Sequence, residues 1–89
     1  MMMFKDRPLA RSGNTLYYGH MAQKYVALLQ ILATEKIHGI DVAQKVSIQL
    51  LSTDPDLTPK ERIIKKAEKD GLYSALNIAD IWLTRYLNQ

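Results

Sequence analysis

The rhythm of apolar and polar positions changes once along this chain, near Pro55. Before it, the pattern is that of strands. Val46, Ile48 and Leu50 alternate with Ser47 and Gln49, the period of two that marks a half-buried strand. The run Tyr25 to Leu32 is denser, with Tyr25, Val26, Ala27, Leu28, Leu29, Ile31 and Leu32 interrupted only by Gln30. A strand buried on both faces reads this way. A helix also fits, since Tyr25, Leu28, Leu29 and Leu32 match helical spacing. The neighbouring strand needs a partner and His38-Gly39 offers a turn, so two long antiparallel strands are expected, at about 24–36 and 42–52. Upstream, residues 8–19 read as a β-hairpin turning at Ser12-Gly13-Asn14, with Pro8 suited to an edge strand because it has no N–H to donate. Residues 1–7 read as a loose arm and 8–89 as a single domain.

After Pro55 the period becomes helical. Asp54-Pro55-Asp56 is turn chemistry, and Thr58-Pro59-Lys60-Glu61 has the form of a capping box with proline at the first helical position. It predicts a helix over 59–69 ended by Gly71. A second helix, about 72–87, follows from Leu72, Ala75, Leu76, Ala79, Trp82, Leu83 and Tyr86, with Asn77, Asp80 and Arg85 mostly off that stripe. The fold class expected is α+β: a four-stranded antiparallel sheet, made of the N-terminal hairpin and two long strands, followed by two C-terminal helices on one face. Two helices cover only one face. A strand apolar on both faces therefore calls for a further cover, and a second copy of the chain is the simplest one. A homodimer or higher oligomer through the sheet is expected.

Four stretches together resemble a small family of short bacterial proteins without assigned activity. They are Gly13-Asn14-Thr15-Leu16-Tyr17-Tyr18-Gly19, Val46-Ser47-Ile48-Gln49-Leu50-Leu51, Thr53-Asp54-Pro55-Asp56 and Gly71-Leu72-Tyr73-Ser74-Ala75-Leu76. The resemblance spans nearly the whole chain. It implies an intact single-domain protein of cytoplasmic bacterial type and carries over no catalytic or binding residue.

Composition narrows the function classes. With 89 residues the chain supports one thin core, the kind that oligomerisation often supplements. It has no cysteine, which excludes disulfides, thiolate zinc sites and cysteine nucleophiles. No secretory signal and no membrane-length apolar run is read, so the expected location is the cytoplasm. His20 and His38 lack an orienting acid at a recognisable spacing and read as surface or loop residues. Asp54 and Asp56 supply too few oxygens for a cation and suit the turn and the start of the helix that follows. No phosphate loop and no serine elbow is present. The expectation is a protein that is not an enzyme, with no cofactor and no metal.

The net charge of +3 is mild for a nucleic-acid binder, but it clusters. A nucleic-acid-binding domain is accordingly the alternative to a structural or interaction protein. Arg7, Arg11, Tyr17 and Tyr18 would supply cations and stacking rings on the sheet, and Arg62, Lys65, Lys66 and Lys69 would form a row on the helix 59–69. A solvated helix face and ordinary packing of the tyrosines explain the same residues. Were 22–51 helical, a helix-turn-helix would be a second route.

Overall fold

The computed structural model describes residues 2–88. Six strands and two helices follow one another as β1 (Met2–Phe4), β2 (Arg7–Ser12), β3 (Thr15–Tyr18), β4 (Tyr25–Ile37), β5 (Ile40–Ser52), α1 (Pro59–Arg62), β6 (Ile63–Asp70) and α2 (Leu72–Leu87). The strands make one antiparallel sheet in chain order, β1-β2-β3-β4-β5-β6. The sheet has six strands rather than four, and one long helix rather than two. The α+β class stands; the four-stranded sheet followed by two helices does not.

The largest correction concerns residues 59–69. The capping box forms as its sequence dictates: Glu61 N–H donates to Thr58 Oγ1, and Thr58 N–H donates to the Glu61 carboxylate. It organises a single turn, α1, and the chain then extends as β6. Two causes act together. Ile63 and Ile64 are β-branched and weak in helices. The outer edge of β5 would otherwise leave its backbone groups unpaired, and β6 fills it from Lys45↔Asp70 to Leu51↔Ile63, with a bulge between Leu50 and Leu51. Tertiary pairing here overrides local propensity. Gly71, at φ 86°, is then the reversal between strand and helix rather than a helix end.

The second correction lies at the N-terminus, in the segment expected as a loose arm. Met2–Phe4 pairs with β2, through Met2↔Leu9, Met3↔Pro8 and Phe4↔Arg7. The turn is Lys5-Asp6, both at positive φ, a tight hairpin geometry with neither Gly nor Asn to announce it. The Phe4 ring repays the strain by packing edge-on against Tyr18 and Tyr73, at centroid distances of 5.7 and 5.9 Å. The ambiguous run is strand β4, which pairs with β5 through a two-residue turn at His38-Gly39. Strand geometry over Tyr25–Ile37 and Ile40–Ser52 leaves no helix-turn-helix.

α2 lies across one face. Its Ala75, Leu76, Ala79, Trp82 and Leu83 pack on Leu9, Leu16, Tyr18, Ala27, Leu29, Ile31, Val46, Ile48 and Leu50. These sheet residues are alternate positions of their strands, so the residues between them belong to the opposite face. No element of the described chain covers that face as α2 covers its own.

β4 and β5 outrun their neighbours. β3 pairs with β4 only from Ala27 to Gln30, and β6 pairs with β5 only as far as Lys45. Residues 33–44 therefore project as a two-stranded arm, and the molecule measures 45 Å in its longest direction against 27 and 20 Å in the others.

Candidate interaction surface

The eight residues considered for nucleic-acid contact do not converge. Arg7 forms an ion pair with Asp80 of α2 on the covered face. Tyr18 is fully buried there; its hydroxyl donates to the Phe4 carbonyl at 2.6 Å and lies 2.9 Å from Asp80 Oδ1. Burial, followed by the hydrogen bond to Asp80, pushes the Tyr18 hydroxyl up to about 12. Arg11 Nε donates to the Gly13 carbonyl at 2.9 Å. Arg62 donates to the carbonyls of Leu57 and Pro55, at 3.1 and 3.3 Å, and so ties down the loop after β5. Lys65 reaches over Trp82, 5.3 Å from the ring centroid, on the covered side. Lys69 is opposite Val46 and shares that side, whereas Lys66 is opposite Gln49 on the other. As a strand, β6 sends its cations alternately to two faces. The helical row expected from spacings of three and four does not exist. Of the eight, Tyr17 and Lys66 remain on the open face.

Asp80 is the functional-looking residue that the helical stripe passed over. It follows Leu76 by four and precedes Leu83 by three, which places it at the stripe's edge rather than in solvent. With Arg7, Tyr18 and the Phe4 carbonyl it forms a polar rivet that fastens β1 and β2 to α2. Its groups are spent on one another, and the role it serves is structural. Asp54 serves its turn in the same way, its Oδ1 accepting from Asp56 N–H at 3.0 Å. Among the described residues no three His, Asp or Glu side chains come together as a metal site.

The open face has a chemistry of its own, which the register places row by row. Ala10, Tyr17, Leu28, Gln49 and Lys66 lie side by side across β2 to β6. Ser12, Thr15, Gln30, Ser47 and Glu68 form the next row toward the arm. Val26, Leu51 and Ile63 form the row on the other side, away from the arm. Beside that last row a shallow groove is lined by Pro8, Ala10, Tyr17, His20, Met21 and Val26. From β2 through β4 as far as Leu32, the face carries no charged residue. Its charges gather at the β5–β6 margin as Lys45, Lys66, Glu68 and Asp70, two of each sign, with Lys45 and Glu68 3.6 Å apart. A sheet face designed for water usually alternates charged and polar side chains. This one exposes 53% of Tyr17 and 52% of Leu32, with Leu28 and Leu51 half-buried.

The arm carries the same character outward. Register steps between Ile31 and Ala33 and between Ala33 and Thr34 break the alternation at its base. Beyond them Ala43 packs against the covered core, and with Thr34, Asp41 and Val42 it lines the hollow at the start of α2. Alternation from Ala43 then turns Ile40, its neighbour Ile37, and Glu35 to the open side. Gln44 donates to the Glu35 carboxylate there. Ile37, Ile40 and Val42 are all exposed.

No described helix is long and apolar enough to cross a membrane. No protein-family model, curated protein or solved structure matches the chain.

Proposed function

We propose that this chain is a non-enzymatic structural or interaction protein that acts as a homo-oligomer, with a second copy covering the open face of its sheet. One observation supports this above the others: from β2 through β4 the face opposite α2 carries no charge as far as Leu32, and with β5 it presents Tyr17, Leu28, Leu32 and Leu51, the composition of an interface core. The cysteine-free sequence suits a reducing interior, and the cytoplasm is the proposed setting. The reading assigns no catalytic residue and no cofactor.

Light scattering at micromolar concentration tests it. The expected mass is that of a dimer or a higher multiple of the 10.2 kDa chain. Tyr17→Lys with Leu28→Lys should return the protein to a monomer with unchanged far-ultraviolet circular dichroism. A wild-type chain that stays monomeric disproves the proposal.

A further inference from the structure

We infer that the arm, residues 33–44, is a clasp: in a two-fold pair of copies its apolar side closes over the far end of the partner's open face. The inference rests on the homo-oligomer proposed above and specifies its geometry.

The order of chemistry along the strands carries the argument. Reading the open face along β4, the row of Val26, Leu51 and Ile63 comes first, then Leu28 with Lys66, then Gln30 with Glu68, then Leu32, then the arm with Ile37 and Ile40. A two-fold axis running across the strands between the Leu28 and Gln30 rows reverses this order in the second copy. Lys66 then faces the partner's Glu68, and Glu68 its Lys66, so these two charges meet their opposites, while Lys45 and Asp70 lie over the partner's Leu51 and Ile63. The exposed Leu32 falls beside the partner's half-buried Leu51, next to Val26, which its own chain already buries. Leu28 and Tyr17 lie over the partner's Gln30 and Thr15 beside the axis. The arm reaches past the end of the partner's sheet, to the loop that holds Met21, itself 72% exposed beside the groove of Pro8, Ala10, Tyr17 and Val26.

Area makes the arms necessary. The face takes three, six and four residues from β1, β2 and β3, about seven each from β4 and β5, and eight from β6, which at about 4.8 by 3.3 Å per residue gives each copy about 550 Å². Two such faces total about 1,100 Å², just below the roughly 1,200–2,000 Å² that stable interfaces bury. The arms bring the pair well inside that range.

The chain lends itself to a direct test, because it has no native cysteine. Within one copy Met21 lies beside Val26 and Ile40 is level with Ile37, about 36 Å apart for eleven steps of strand. A bis-maleimide of about 10 Å reach, the spacing of packed sheets, spans no such distance. Met21→Cys combined with Ile40→Cys should therefore link only between copies, giving a band of twice the mass on a denaturing gel. Each single variant should stay unlinked, because the two-fold places like residues at opposite ends of the pair. Linking by Ile40→Cys alone means that the arms meet tip to tip and overturns the clasp. A dimer by light scattering in which the double variant does not link also overturns the clasp and leaves the homo-oligomer standing. A strict monomer overturns both. Ile40→Asp, a change at an exposed tip that leaves the core untouched, should raise the dimer dissociation constant at least tenfold; an unchanged constant counts equally against the clasp.

Discussion

Leu28 and Leu29 are neighbours in β4, yet Leu29 is fully buried beneath α2 while Leu28 is half-buried on the side that no helix covers. The contrast repeats across the sheet. Tyr18, Ile48 and Leu50 are sealed on one face; Tyr17, Gln49 and Leu51 sit between them on the other. The covered face has the density of a core and one polar rivet, Arg7–Asp80–Tyr18. The open face mixes apolar and small uncharged side chains and holds its ions at one margin. One face is finished within the chain; the other, on the function proposed above, is finished by association.

Alanine substitutions at the two leucines break this comparison most sharply. Leu29→Ala removes a fully packed side chain and should cost about 3 kcal/mol, the same at every protein concentration. Leu28→Ala should cost under about 1.5 kcal/mol at high dilution, with a melting temperature that depends on concentration more weakly than the wild type's. Thermal melts over a hundredfold range of concentration separate the two. Equal, concentration-independent losses would mean that the faces do not differ in the way argued.

The rivet comes next in size. Asp80→Ala leaves the mostly buried Arg7 guanidinium without its partner and should cost about 3 kcal/mol. Tyr18→Phe removes one hydroxyl whose partners remain and should cost about 1–2 kcal/mol, measured by urea denaturation. If the rivet holds β1 and β2 to α2, hydrogen exchange in Met2–Phe4 should speed up more in both variants than exchange in β5.

Tyr18 also gives the covered face a pH signature. Its ordinary value near 10 applies in the unfolded chain, and burial raises it to about 12 in the folded one. Between those values the unfolded chain gives up the proton that the folded chain keeps. The contribution of Tyr18 is thus fully present below pH 10 and is lost as pH rises from 10 toward 12. The tyrosinate absorbance should show one component titrating near 12. Tyr18→Phe should abolish that component and flatten the corresponding fall in stability. A wild-type titration without a late component would remove the basis for this slope.

The sequence was legible where the pattern was local, and less so where it depended on a partner strand. The period of Val46, Ile48 and Leu50 marked a strand, and the apolar stripe from Leu72 to Tyr86 marked α2, because side-chain alternation and helical spacing are properties of a single segment. The capping box at Thr58 was equally plain, but a cap fixes where a helix starts and says nothing of its length. The vacant edge of β5 decided that Ile63–Asp70 would extend, and that edge exists only in the folded sheet. Likewise Lys5-Asp6 carries no turn signature; the hairpin forms because Phe4 has Tyr18 and Tyr73 to pack against. The doubly apolar run of β4 is what suggests a second cover. The residues that frame it, Leu32 and Leu51 with the arm's Ile37 and Ile40, came into view only with the register.

The capping box itself supplies the smallest test, because it separates a local device from the sheet that follows. Thr58 Oγ1 accepts from Glu61 N–H at 3.3 Å, and the Glu61 carboxylate, held below its usual range by these bonds, accepts from Thr58 N–H at 2.9 Å. α1 has four residues and none of them is buried, so this pair is its main support. Thr58→Ala should cost about 1 kcal/mol, the usual size of a lost cap. Arg62, which ties the same loop through the Leu57 and Pro55 carbonyls, should hold the entry to β6 in place. The expected result is accelerated amide exchange at Glu61 and Arg62 with little change at Lys65 to Lys69, where pairing with β5 sets protection. Exchange that rises together from Glu61 through Lys69 would show instead that the turn nucleates β6, and the strand would then owe its conformation to the cap rather than to the edge it fills.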